Sequence, residues 1–182
     1  NGLAPLRSGR ARVLQTEPSR GGYRLRRRVG YVAQVETVDP RLPISVRESV
    51  LLGRYGRLRW FRGPVRADWD RVEDALARVG MAHLADRPLG HLSGGECQRV
   101  AIARVLAQEP ELFLYDEPTA SVDPQAQDDL LELIRRVHEG TGSTALFVTH
   151  DVRLAGPGAP WALLPACCTR LVLMRDGRIW RE

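Results

Sequence analysis

Lysine is missing altogether: all 27 basic residues of this 182-residue chain are arginine. Its absence excludes a lysine Schiff base, a lysine general base and, within these residues, a P-loop of the form G-x-x-x-x-G-K-[S/T]. Cysteine is scarce too. Cys97 and the adjacent Cys167 and Cys168 fit neither a disulfide framework nor a zinc site, which points to a reducing cytosol. No apolar run approaches the ~20 residues of a membrane span, and no signal-peptide pattern opens the chain. Methionine occurs only at Met81 and Met174, and the chain starts at Asn1. The expectation is therefore a fragment or a processed chain.

What remains is the composition of a globular domain. A hydrophobic share of 43% and a charged share of 27% exclude a disordered chain. The net charge of +5 is compatible with nucleic acid, an anionic membrane surface or a GC-rich genome, and does not choose among them.

Along the chain, residues up to about Gly22 carry little hydrophobic pattern, with Ala11 to Leu14 as a candidate short strand. Val29 to Ala33 reads as a strand ending at Gln34. From Ser45 the rhythm becomes helical: Ser45 with Glu48 is a capping box before Val50, Leu51 and Leu52. Val72, Ala75, Leu76 and Val79 share one face of a second helix, and Ser93 with Glu96 opens a third. Between the first two lies Arg54 to Arg62, basic and interleaved with Tyr55, Trp60 and Phe61. Leu112 to Tyr115 and Thr144 to Thr149 are apolar runs that suit strands covered on both faces. Leu130, Leu133, Ile134 and Val137 form the buried stripe of an intervening helix. Leu171 to Met174 and Arg178 to Trp180 flank Asp176-Gly177 as a hairpin. The alternation predicts an α/β domain with a mainly parallel sheet and a helical lobe inserted after Gln34.

Three places carry chemistry. Asp116 and Glu117 end a buried strand, where α/β folds place ligands: the first acid can hold Mg²⁺ and the second can deprotonate a water that attacks phosphorus. The run Leu92-Ser93-Gly94-Gly95-Glu96 puts two glycines inside the first turn of a helix. A cap explains Ser93 and Glu96, whereas bare amides awaiting a phosphate explain the glycines. His150 follows a strand directly and precedes Asp151.

The order Gln34, helical lobe, Leu92 to Glu96, Asp116-Glu117, Ser121-Val122-Asp123 and Thr149-His150-Asp151 resembles the ATP-binding cassette (ABC) transporter ATPases. The resemblance runs from Asn1 to about Asp151 and resumes near Arg170. It implies a RecA-like P-loop NTPase core, residues 1–34 and 109–182, with a helical subdomain over 35–108, lacking the first strands and the P-loop helix. It further implies ATP and Mg²⁺ as cofactors. Gln34 would sense Mg²⁺ and the transmembrane partner. Ser93, Gly94 and Gly95, with Glu96 beside them, would grip the γ-phosphate of ATP held by the other subunit. Asp116 would hold Mg²⁺, Glu117 would be the general base, Asp123 would link the two sites across a dimer, and His150 would contact the γ-phosphate. The implied partners are transmembrane permease subunits, a second ABC ATPase subunit and, indirectly, a substrate-binding protein, at the cytoplasmic face of the cell membrane.

Ile44 to Gly56, Trp60-Phe61-Arg62 and Val79-Gly80-Met81 are similar to the cassettes that energise zinc and manganese importers, with iron-chelate cassettes as the near alternative. The chain departs from the family in three ways: it has no P-loop, residues 156–168 look like extra sequence, and Cys97 stands where glutamine is frequent. Without the P-loop it is expected to bind ATP weakly, to be inactive alone, and to expose apolar surface and strand edges. Two further readings stay open. One is a non-catalytic cassette lending its signature turn to a partner. The other is a nucleic-acid ATPase using the Arg54 to Arg62 stretch, which a partner-facing surface explains more simply.

Overall fold

The computed structural model describes residues 8–34, 39, 41–58, 63–120, 122–149, 169–170 and 172–181. Ser121, His150, the stretch 156–168, the cysteine pair Cys167 and Cys168, and residues 59–62 lie outside these.

A helix not expected from the sequence comes first: α1, Pro18–Arg26. Pro18 supplies its first helical position, where a missing N–H costs nothing, and Gly22, at φ 45 and ψ −137, kinks it. The strand expected over Ala11 to Leu14 is instead a single antiparallel bridge between Val13 and Thr16. Leu14 and Gln15 both take positive φ there, at 48 and 63, so the chain reverses within two residues and cannot stay extended.

Strands β1 (Val29–Val32), β2 (Leu112–Asp116) and β3 (Thr144–Val148) pair in parallel in that order. The register sets Val32 opposite Tyr115 and Asp116 opposite Val148. Gln34 and the Asp116-Glu117 pair therefore emerge at the same, carboxyl end of the sheet. β4 (Leu173–Arg175) and β5 (Arg178–Arg181) form the expected hairpin, with a register irregularity between Leu173 and Met174.

Helices α2 (Val46–Leu51), α3 (Arg66–Arg78) and α4 (Gly94–Gln108) make the helical middle. α4 lies between α2 and α3 on one side and the sheet on the other, so one hydrophobic cluster runs from Val46, Val50, Val72 and Leu76 through Ile102 to Phe113 and Tyr115. α5 (Pro124–Thr141) adds Leu130, Leu133, Ile134 and Val137, all buried. The approach of the turn Leu52–Arg54 to α4 is close: a Cβ on Gly53 would lie 2.0 Å from the Arg104 carbonyl oxygen. Only glycine fits there.

Two strands differ from the expectation of cover on both faces. In β2 the buried residues alternate: Phe113 and Tyr115 are inside, while Leu112, Leu114 and Asp116 are half-buried. In β3 only Phe147 is even partly covered, and Leu146 and Val148 are 55% and 50% exposed. The reason is one-sided packing: among the described residues α4 and α5 cover one face, and Tyr31, Leu146 and Val148 stand open on the other. A continuous apolar run cannot distinguish these situations, because it scores the same whether one face or two are covered.

Candidate functional site

Two strand ends build the acidic part of the site. Gln34, two residues beyond β1, donates from Nε2 to Oε2 of Glu117 at 2.6 Å. Tyr31, on β1, donates its hydroxyl to Asp116 Oδ2 at 2.7 Å. Glu117 itself has φ 46, a left-handed conformation that non-glycine residues seldom adopt. It is held by its own N–H, which donates to the Val148 carbonyl at 2.9 Å, and by its carbonyl, which accepts from Ala120 N–H at 3.1 Å. Strain of this kind, about 1–3 kcal/mol, persists where a side chain must be aimed. The bond to Asp116 also holds the Tyr31 phenol above its usual pKa, with burial adding to the effect.

The second part is the start of α4. Ser93 is its cap: Oγ accepts from Glu96 N–H at 3.3 Å, and Glu96 Oε2 accepts from Ser93 N–H at 2.7 Å and from Ser93 Oγ–H at 2.9 Å. These bonds, the backbone one foremost, keep the Glu96 carboxyl below its usual range. The hydroxyl of Ser93 is thus turned to Glu96, and its use as a phosphate donor requires it to rotate away. Cys97 N–H begins the helical ladder on Ser93 O at 2.9 Å, so Gly94 and Gly95 are the first-turn amides that the cap does not use. A Cβ on Gly95 would meet only Val122 Cγ1, at 4.0 Å. That is an ordinary contact, so packing within this chain does not call for a glycine.

Asp123 caps α5, its Oδ1 accepting from Ala126 N–H at 3.0 Å. Val122 tucks between that cap and Gly95, placing the segment after β2 beside the glycine turn. His150 lies outside the described residues.

The basic stretch from Arg54 proves to be anchored inward at its start. Arg54 is only 9% exposed. Its Nε donates to Asp68 Oδ1 at 3.1 Å, and its Nη1 donates to Ala107 O and Glu109 Oε2, each at 2.8 Å. Arg57 adds bonds to the Gln108 and Glu109 carbonyls at 2.8 and 2.9 Å. The two arginines cap the carboxyl end of α4 where its last carbonyls lack helical partners. Arg54 is thus a buried structural cation, whereas Arg57, bonded to the same helix end, stays exposed. Behind β2, His138 bridges the Tyr115 hydroxyl at 3.1 Å and Ser143 Oγ at 3.2 Å.

Among the described residues no group of three or more His, Cys, Asp or Glu could cage a metal. One strand-end carboxylate with a neighbouring glutamate and glutamine still fits Mg²⁺, which takes one or two protein oxygens and fills its remaining positions from water and phosphate. No described helix is long and apolar enough to cross a membrane.

A parallel α/β sheet that gathers a glutamine and two acids at its carboxyl end, beside a helix opened by paired glycines, has the form of a nucleotide-handling domain. The chain belongs to the ABC transporter family, whose model matches residues 1–120. It is 40% identical over 152 residues to the zinc transport system ATP-binding protein TroB of Treponema pallidum (strain Nichols), covering 84% of this chain and 55% of TroB. To the manganese transport system ATP-binding protein MntB of Bacillus subtilis (strain 168) it is 40% identical over 139 residues, covering 76% and 55%. To the phosphonates import ATP-binding protein PhnC 1 of Rhodopseudomonas palustris (strain HaA2) it is 43% identical over 163 residues, covering 85% and 58%. The structure of cbiO1 from Clostridium perfringens, part of the cbiONQ ABC transporter complex, superposes with a TM-score of 0.76 at 32% identity, over 98% of this chain and 66% of that one. The chain spans about half the length of the curated relatives it matches.

Proposed function

We propose that the chain is the ATP-binding and ATP-hydrolysing subunit of an ABC transporter that imports a divalent metal, zinc or manganese. The observation that carries this reading is the Gln34–Glu117 bond of 2.6 Å beside Asp116, which unites at one sheet end the residues the family uses on phosphate and water. Glu117 takes the proton of the attacking water; Gln34 orients Glu117 and relays its position to a permease surface. Asp116 holds Mg²⁺, which when bound neutralises charge on the transferred phosphoryl group. The amides of Gly94 and Gly95, with Ser93, close on nucleotide held by a second cassette. Asp123 couples the two sites, and His150 contacts the γ-phosphate. Residues 1–34 and 109–182 act as the core and 35–108 as the lobe, docked through permease subunits at the cytoplasmic face of the membrane.

The metal substrate is supported by the 40% identity to TroB and MntB; the 43% identity to PhnC 1 favours phosphonate instead. Uptake of radiolabelled zinc or manganese by cells with and without the gene decides, and unchanged metal uptake removes the metal reading. A second functional reading, a cassette that only lends its glycine turn, is supported by the Gly94 and Gly95 amides that the Ser93 cap leaves unused.

Both readings require the turn to meet a partner's nucleotide, and Gly95→Ala tests it. The added Cβ meets nothing nearer than 4.0 Å and replaces glycine inside a helix, so stability should hold or rise by up to about 1 kcal/mol. The purified 182-residue chain should hydrolyse Mg²⁺-ATP at background rate, and pairing with an intact cassette should produce activity that Gly95→Ala cuts at least tenfold. Full activity in the variant would show that the turn is only a cap.

A further inference from the structure

Tyr31 has no part in the roles above, yet its hydroxyl donates to Asp116, the acid assigned to Mg²⁺. Register explains how. Tyr31 lies opposite Leu114 and Asp116 opposite Val148, so Tyr31 and Asp116 share a face of the sheet and stand two rows apart along it. A phenol is long enough to span those rows. Its hydroxyl reaches Asp116 Oδ2 at 2.7 Å, the length of a charge-assisted bond.

The ring lines a cavity with Val13, Pro18, Leu25 and Val29 but is not part of the hydrophobic core. It is 45% exposed, whereas Tyr115 on the opposite face is 1% exposed and is part of the core. The hydroxyl of this half-exposed tyrosine is held by the carboxylate that it contacts.

We propose that Tyr31 is a positioning residue: by occupying Asp116 Oδ2 it fixes the carboxylate rotation and presents the other oxygen, Oδ1, to the metal. Mg²⁺ demands near-octahedral geometry, and a carboxylate with one oxygen already bonded offers a single, directed ligand. Partners of this kind orient metal ligands elsewhere, and their loss typically weakens metal binding 10–100-fold. The proposal rests on the reading of Asp116 as the Mg²⁺ ligand, and its test separates the two.

Mn²⁺, used alone as the probe, is titrated into the full chain and free ion is counted by electron paramagnetic resonance, for wild type, Tyr31→Phe and Asp116→Ala. In parallel, the ¹³Cζ resonance of Tyr31 is followed at pH 7 in wild type and Asp116→Ala. Tyr31→Phe should weaken Mn²⁺ binding about tenfold with an unchanged urea midpoint, Asp116→Ala should abolish that binding, and the Tyr31 ¹³Cζ shift should move when Asp116 is lost. If Tyr31→Phe binds Mn²⁺ as wild type does while Asp116→Ala does not, or if the ¹³Cζ shift stays put, Tyr31 has no positioning role and the metal reading survives. If wild type fails to bind Mn²⁺, or Asp116→Ala still binds it, the assignment of Asp116 falls and takes the proposal with it.

Discussion

Arg54→Met removes the guanidinium that joins three parts of the helical lobe while keeping most of its apolar stem. Asp68, itself 8% exposed, would keep the bond from Val65 N–H at 3.1 Å but lose its cation, and the Ala107 carbonyl would lose its partner at 2.8 Å. Breaking one side of a buried ion pair costs about 3–5 kcal/mol. The surviving bond to Asp68 argues for the lower end, and Glu109, 39% exposed at its side chain, can turn to water and adds little. The expected loss is about 3 kcal/mol, which at an m-value of about 2 kcal/mol/M lowers the urea midpoint by roughly 1.5 M. Unfolding followed by circular dichroism at 222 nm measures it. The double variant Arg54→Met/Asp68→Leu should recover more than half of the loss, since no charge is then left buried. A single-variant shift below about 0.5 M, or a double variant less stable than the single, would refute the assignment of Arg54 as a buried clamp.

Two further outcomes follow from packing and burial. Gly53→Ala places a Cβ 2.0 Å from a backbone oxygen of α4, so the turn must move; a loss of at least about 2 kcal/mol in urea unfolding is expected, and a neutral result would show that the approach is looser than described. Burial pushes the His138 imidazole below its usual 6.5, against a weaker opposing bond from Ser143. The unfolded chain therefore binds the proton first, and His138's contribution is present above about pH 6.5 and lost as pH falls below it toward the folded value. Urea midpoints at pH 7.5 and 5.0 should differ less in His138→Phe than in wild type; an equal difference assigns the pH sensitivity to other groups.

Local chemistry was the legible part of this chain. The capping boxes at Ser45 and Ser93 appear as expected because each is written within four residues, with Glu48 and Glu96 bonded back as the spacing requires. The stripe on α5 and the hairpin around Asp176-Gly177 are legible for the same reason. α1 escaped notice because arginine and two glycines hide its single buried residue, Leu25. Arg54 looked like surface because its partners lie 14, 53 and 55 positions away, and no window of sequence contains them. The site divides likewise. Gln34, Asp116 and Glu117 are singled out by their order along the chain, and the structure brings them to one sheet end, but the Tyr31 bond to Asp116 spans 85 positions and becomes visible only when β1 and β2 pair.

The account turns on Glu117 as the group that takes the proton from the attacking water. Phosphate release from Mg²⁺-ATP by the chain assembled with its permease and second cassette, wild type against Glu117→Gln, measures this most directly. The proposal predicts that Glu117→Gln, which keeps a hydrogen-bonding side chain but no base, lowers turnover about 10²–10⁴-fold with ATP still bound. Turnover equal to wild type would contradict it and leave this chain a cassette that lends only its glycine turn.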